Sequence, residues 1–267
     1  MPLLVWIIIF TLLGGVLSVL AAATFLLLPE TLRQRLLPAT VSFAIGALLG
    51  AAFLALLPHA LEHPGARDLH TMFGVVLLGV LAFFVLEKMV LWRHCHTHDC
   101  EAHGGAPGHA THGHAPASAQ AAGYLILVGD AVHNFVDGVL IAAAFLTDTH
   151  LGIVTALAVA AHEIPQEVGD FAILLHGGFS RARALTYNVL SSLTTVIGGV
   201  LAYYSLSLAN AATPYVLAVA ASSFIYIAVA DLIPGLHRRV ELRATVQQVV
   251  LIAAGVGLIW IAHTTLH

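Results

Sequence analysis

Residues 122–146 read AGYLILVGDAVHNFVDGVLIAAAFL, and across a short link residues 150–176 read HLGIVTALAVAAHEIPQEVGDFAILLH. Each run exceeds the ~20 residues that a helix needs to cross the hydrocarbon core of a bilayer. Each is apolar at its ends and carries ionisable side chains in its interior. In a soluble protein such residues would sit on a wetted face. Here apolar residues flank them on every side, so the pair reads as two membrane helices with a polar centre held between them.

The rest of the chain agrees. Hydrophobic residues make up 59% of the 267 and charged residues 9%, against roughly 25% charged in a soluble domain. So few charges do not cover a soluble surface of this size, whereas lipid is itself an apolar solvent. Apolar runs and their breakers predict eight helices near 3–28, 39–61, 71–92, 122–146, 150–176, 183–209, 213–236 and 245–264. The fold class is an all-α, polytopic transmembrane bundle, a single transmembrane domain over 1–267. The apolar N-terminus lacks a basic leader region and reads as the first helix. The net charge of -4 is gathered into no run, and no nucleic-acid partner is expected.

Basic residues orient the bundle. The links after helices 1, 3, 5 and 7 carry Arg33, Arg35, Lys88, Arg93, Arg181, Arg183, Arg238, Arg239 and Arg243, and those after helices 2, 4 and 6 carry Arg67 alone. The positive-inside rule assigns the rich side to the cytoplasm. Both termini are then outside, as an even number of spans requires.

Spacing arranges the polar residues. His133 and Asp137 are i,i+4 and stack on one face, with Asp130 and Asn134 flanking the stripe. On the next helix His162 and Gln166 are i,i+4, as are Glu163 and Glu167, and Asp170 follows. The short link makes the two helices antiparallel neighbours, so imidazole, carboxylate and amide oxygen meet inside the membrane. Such residues there are costly and mark function by default, and the mixture suits Zn2+ and other first-row divalent cations. Interhelical polar glue, the bland alternative, relies on Ser, Thr and Asn rather than two His and five carboxylates. No thiolate is present, which favours an ion that must leave again. Pro165 removes a backbone donor and is expected to kink its helix, freeing a carbonyl near Ala161.

The strings His133-Asn134-Phe135-Val136-Asp137-Gly138 and His162-Glu163-Ile164-Pro165-Gln166-Glu167-Val168-Gly169-Asp170 resemble the paired motifs of the ZIP family of metal-ion transporters. Leu57-Pro58-His59-Ala60, Glu87-Lys88 and Phe224-Ile225-Tyr226-Ile227-Ala228 extend the resemblance over nearly the whole chain. It implies a divalent metal-ion transporter moving zinc, or iron, manganese or cadmium, into the cytoplasm. The metal is cargo, and the protein is not an enzyme. The resemblance also implies a primary site of His133, Asp137, His162 and Gln166 with Glu163 adjoining. Asn134, Glu163 and Glu167 border a second position. Four departures stand out, the first being Gln166, a neutral and weaker ligand where close relatives often have His or Glu. Residues 183–209 hold no Asp or Glu, only Asn188, Ser191 and Ser192 on one face; Ala51 and Ala55 replace polar residues in helix 2; and Gly235 follows Pro234 where relatives often have Glu. Expected partners are the divalent cation and the lipid bilayer, with a homodimer as a further expectation. The small size points to a bacterial plasma membrane.

Other classes compete. His162-Glu163 opens like the HExxH of an intramembrane zinc metalloprotease, but Gln166 stands where the second His belongs. A metal exporter of the cation diffusion facilitator type resembles six spans with a folded cytoplasmic tail, whereas here His267 directly follows the last helix. A metal sensor is the remaining alternative. Small-residue patterns at Gly46-x3-Gly50 and Gly255-x-Gly257 read as close helix packing. His59, Glu62 and His63 fall at the outer end of helix 2, and Asp231 and His176 towards the cytoplasm.

Residues 94–121 form a His-rich cytoplasmic loop with His94, His96, His98, His103, His109, His112, His114, Cys95 and Cys100 among Gly, Ala and Pro. Its composition suits a weak, many-toothed metal collector or a dispensable linker. Deleting 94–116 separates the two: a collector predicts slowed or deregulated transport, a linker predicts unchanged transport.

Overall fold

The computed structural model describes residues 2–95, 115–237 and 241–266. Histidines 96–114 of the His-rich loop, Cys100, Arg238 and Arg239 lie outside the described residues. Among the described residues the chain is helical, with no strand. Helix α1 has two pieces, Leu3–Gly14 and Val16–Phe25; α2 spans Glu30–Glu62, α3 Leu69–Cys95, α4 Ala115–Thr147, α5 Thr149–His176, α6 Arg181–Leu208, α7 Thr213–Leu236 and α8 Leu242–Leu266. Seven of these are long and apolar enough to cross a membrane. The eighth, α5, is 28 residues long but carries His162, Glu163, Gln166, Glu167 and Asp170 in its second half, and these polar groups dilute its hydropathy. Multi-pass membrane architecture follows.

Four boundaries differ from the sequence reading. Helix α1 breaks at Gly15 (φ -88°, ψ -89°), where a Cβ would meet the Ser192 carbonyl oxygen at 2.7 Å; close approach to α6 shapes the backbone there. Helix α2 starts at Glu30, not near 39, because Pro38 is carried inside it. Helices α3 and α4 run into the two ends of the His-rich stretch, to Cys95 and from Ala115. Pro165 lies inside α5 without ending it.

Burial sorts the helices. In α2, 67% of its most apolar window is buried, against 11% in α3 and in α8, so the last two form the lipid-facing flank. Helix α4 packs along α6 and α5, α8 along α2, and α3 along α7. Two crossings are so close that only glycine fits. A Cβ on Gly46 would lie 2.0 Å from the Ile252 carbonyl oxygen, and one on Gly255 2.3 Å from that of Phe43, which locks α2 to α8. A Cβ on Gly138 would lie 1.9 Å from the Thr195 carbonyl oxygen, and one on Gly198 2.1 Å from that of Phe135, which locks α4 to α6. Such approach is how membrane helices associate where lipid competes for every apolar contact. Gly257, by contrast, has nothing within 4 Å of a Cβ and takes no part in packing.

Helices α2 and α7 each widen to π-helix, over Ala51–Leu56 and Ile227–Leu232, and in each a proline follows two residues later, Pro58 and Pro234. The wider turn moves the preceding carbonyls away from the ring that would otherwise strike them. Short caps finish the bundle. Asp148, the single residue between α4 and α5, accepts from the N–H groups of His150 (2.8 Å) and Leu151 (3.1 Å). Gly178, at φ +82°, turns the chain from α5 into α6 in a conformation that glycine tolerates freely. Asp68 accepts from Thr71 N–H and hydroxyl at the start of α3 (3.0 and 2.9 Å), and these bonds hold its carboxyl below the usual range.

Substituting Gly198 by Ala should lower stability by roughly 1–3 kcal/mol through overpacking. Gly74→Ala, with nothing within 4 Å, should be neutral or mildly stabilising. Thermal unfolding of the purified variants in detergent checks both.

Candidate metal centre

The close crossing of α4 and α6 sets the depth at which the polar residues of α4 sit, and α5 folds back against them. His133, Asp137, His162 and Glu163 converge there. His133 Nε2 lies 3.3 Å from His162 Nε2, 3.2 Å from Glu163 Oε1 and 3.7 Å from Asp137 Oδ2. His162 Nε2 lies 3.3 Å from Asp137 Oδ2 and 3.6 Å from Glu163 Oε1. Four atoms with these five separations outline a tetrahedron. Ligands about 2.0–2.1 Å from a central zinc ion stand about 3.3–3.4 Å apart, and the observed edges bracket that value.

Within the group the two imidazoles are in hydrogen-bond contact through their Nε2 atoms, but the carboxylates are not tied in by hydrogen bonds. Both carboxylate oxygens of Asp137 and both of Glu163 are buried and accept none. The ring nitrogens lie 3.2–3.7 Å from Asp137 Oδ2 and Glu163 Oε1, and all four ligand atoms fall within 4.8 Å of one another. That suits a cation at the centre better than pairwise contacts, because a buried carboxylate without a partner is expensive. The tautomer of His162 is set from behind: its Nδ1 is 3.1 Å from the Ala158 carbonyl oxygen. A carbonyl only accepts, so Nδ1 bears a proton, which leaves Nε2 as the nitrogen available to a metal ion. Phe224 walls off this ring, centroid to centroid 6.1 Å. His162, Asp137 and Glu163 are each 1% exposed, but His133 is 21% exposed and forms the open edge of the centre.

A second cluster adjoins the first. Asp130, Glu163 and Glu167 bring carboxylate oxygens within 4.8 Å of one another, and Glu163 belongs to both groups. Asp130 is anchored: its Oδ1 accepts from Asn134 Nδ2 (2.9 Å) and its Oδ2 from Ser191 Oγ (2.5 Å). Asn134 also accepts through Oδ1 from Thr195 Oγ1 at 2.8 Å. These bonds stitch α4 to α6 beside Gly138. Both oxygens of Glu167 are buried without a partner.

The structure thus distributes the expected site residues. Glu163 takes the fourth corner beside His133, Asp137 and His162. Gln166 lies one turn on from His162, half-buried. Asn134 has both amide atoms engaged, Nδ2 donating to Asp130 on its own helix and Oδ1 accepting from Thr195 of α6. Glu167 joins Asp130 in the second cluster. Sequence reasoning missed Thr195; its place four residues after Ser191, on the stripe that holds Asn188, was the available signal. A further tie across the same crossing comes from Thr194, whose hydroxyl donates to the Ala131 carbonyl (2.7 Å). Away from this centre, the Tyr226 hydroxyl donates to Glu87 Oε2 and ties α7 to α3.

The chain is similar to known proteins. The model of the family described as ZIP Zinc transporter matches residues 2–120 and 92–262. The chain is 33% identical over 228 residues to Zinc transporter ZIP13 of Pongo abelii, covering 81% of this chain and 63% of that protein. It is 32% identical over 268 residues to Zinc transporter zipt-7.2 of Caenorhabditis elegans, covering 85% of this chain and 58% of that protein. Over 113 residues, 42% of this chain and 17% of that protein, it is 45% identical to Zinc transporter ZIP4 of Mus musculus. The chain therefore spans about three-fifths of the length of the first two relatives.

Glu163→Gln should weaken equilibrium zinc binding to the purified protein by about tenfold or more, and Gln166→Ala by clearly less. The reverse order in a zinc-binding titration would put Gln166 at the fourth corner.

Proposed function

The chain belongs to the ZIP zinc transporter family, and from that premise we propose that it carries divalent metal ions, zinc first, through its own helix bundle, binding them in passing at His133, Asp137, His162 and Glu163. The observation that carries this reading is the set of ligand-atom separations of 3.2–3.7 Å among two imidazoles and two carboxylates whose oxygens are buried without a hydrogen-bond partner. Two imidazoles and two carboxylates suit zinc, while other first-row divalent ions meet the same donor set less selectively. With no thiolate among the ligands, the ion is held firmly enough to shed its water and loosely enough to go on.

The adjoining carboxylates give the next step. Glu163 faces both clusters, so an ion exchanges His133 and Asp137 for Asp130 and Glu167 without leaving Glu163. Direction follows from charge: the excess of Lys and Arg on the links after α1, α3, α5 and α7 orients that side to the cytoplasm. The second cluster lies on that side of the first, because Asp130 precedes His133 on α4 and Glu167 follows His162 on α5. Transport therefore runs inward, with both termini outside. Membership of a transporter family, and Gln166 in place of a second histidine, argue against the protease reading.

Radioactive zinc uptake into proteoliposomes tests the proposal. His133→Ala and His162→Ala, each present in the membrane at the wild-type level, should lose about tenfold or more of the initial rate; wild-type uptake by both would sink the reading. Zinc affinity should also fall as pH is lowered, since protons compete for the imidazole lone pairs, which a titration at several pH values measures.

A further inference from the structure

One buried group near this path has no hydrogen-bond partner among the described residues and no role in the centre as described. Helix α6 presents a buried polar stripe of Asn188, Ser191, Ser192 and Thr195. Ser191 donates to Asp130, Thr195 to Asn134, and Ser192 to its own helix at Val189. Asn188 is fully buried, yet neither its Oδ1 nor its Nδ2 has a hydrogen-bond partner. Asn134 shows what a structural asparagine does in the same seam: both of its amide atoms are engaged. An amide left unsatisfied in a membrane protein is costly, and an oxygen kept available at that cost suits a passing cation.

Its place in the bundle fits such a role. One turn after Asn188, Ser191 reaches Asp130. One turn before it, Ala184 packs with Phe171 and Leu174 of α5 and Val19 of α1. Asn188 therefore lies between the second cluster and the apolar plug beneath the α5–α6 turn, at the level where α5 changes from Glu167 to Phe171. Glu167, with both oxygens also buried and unpartnered, is the carboxylate on that side of the cluster. The polar groups descend in order: His133, Asp137, His162 and Glu163, then Asp130 and Glu167, then Asp170 on α5 and Asn188 on α6.

We propose that the Asn188 amide oxygen is a transient ligand for the divalent cation, receiving it from the Asp130–Glu163–Glu167 cluster on the way to the face where α5 ends and α6 begins. This rests on the transport reading above. A neutral oxygen holds a dication less tightly than a carboxylate does, which favours release at this step.

The test compares Asn188→Leu, Asn188→Asp and His133→Ala with wild type, using zinc alone as the probe, in equilibrium binding and in proteoliposome uptake. Asn188→Leu removes an unpartnered amide, so it should insert and bind zinc at the first cluster as wild type does. Its initial uptake rate should fall about tenfold, the low end of what losing one polar partner of a charge gives. Asn188→Asp should bind zinc more tightly and release it more slowly. Wild-type uptake by Asn188→Leu overturns the proposal, as does unchanged zinc binding in Asn188→Asp, which decides the matter should the leucine variant fail to fold. Should His133→Ala transport like wild type, the transport reading itself fails; should it be inactive while Asn188→Leu is fully active, only the role of Asn188 fails.

Discussion

The contact on which the rest depends is the backbone-to-backbone crossing of α4 and α6 at Gly138 and Gly198. Each glycine admits the other helix's carbonyl at a distance that no Cβ permits. Lipid offers no apolar driving force for bringing helices together, so close van der Waals approach and a few polar bonds do the work. Once the crossing is made, Ser191, Thr194 and Thr195 reach the polar groups and backbone of α4. Asp137, next to Gly138 in sequence, is thereby held at fixed depth. The short link at Asp148 then returns α5 alongside, and the centre assembles from two helices braced by a third.

Two kinds of buried polar group coexist within a few turns. Asp130 and Asn134 have hydrogen-bond partners and act as fasteners. Asp137, Glu163, Glu167 and Asn188 have none among the described residues. In a low-dielectric interior, unpaired groups of this kind are tolerated where something else compensates them. In the proposed function, a dication bound at the first centre supplies that compensation for its carboxylates. The protein thus separates stability, carried by glycine crossings and Ser/Thr ties, from cargo handling, carried by groups the fold leaves open.

The lipid-facing helices tell a complementary story. Helices α3 and α8 bury little of themselves, yet each is fastened to the bundle: α8 to α2 by the reciprocal Gly46 and Gly255 contacts, α3 to α7 through Glu87 with Tyr226 and through the Ser222 hydroxyl, which donates to the Val76 carbonyl at 3.0 Å. Helices α2 and α7 both carry a π-helical stretch before a proline, and each stretch packs against the other's helix. The regular ladder is therefore relaxed in the two inner helices and kept regular in α4 and α6.

Eight helices, their rough extents and the polar character of α4 and α5 were legible in the sequence, because apolar runs of bilayer length and ionisable residues inside them are local signals. The i,i+4 pairing of His133 with Asp137 was legible for the same reason: helix geometry alone stacks them. Other features needed the fold. The break at Gly15 comes from the nearness of Ser192, the start of α2 at Glu30 from tolerance of Pro38 within a packed helix, and the tie at Thr195 from a partner on α4, 61 residues away. Spacing on α5 pairs His162 with Gln166 and Glu163 with Glu167; that Glu163 comes within 3.2 Å of His133 depends on how α5 is rotated against α4. Sequence determined which residues are buried in the membrane and on which helix; only tertiary packing decided which of their atoms meet and which stay without a partner, since that depends on the rotation and depth of helices set by contacts distant in the chain.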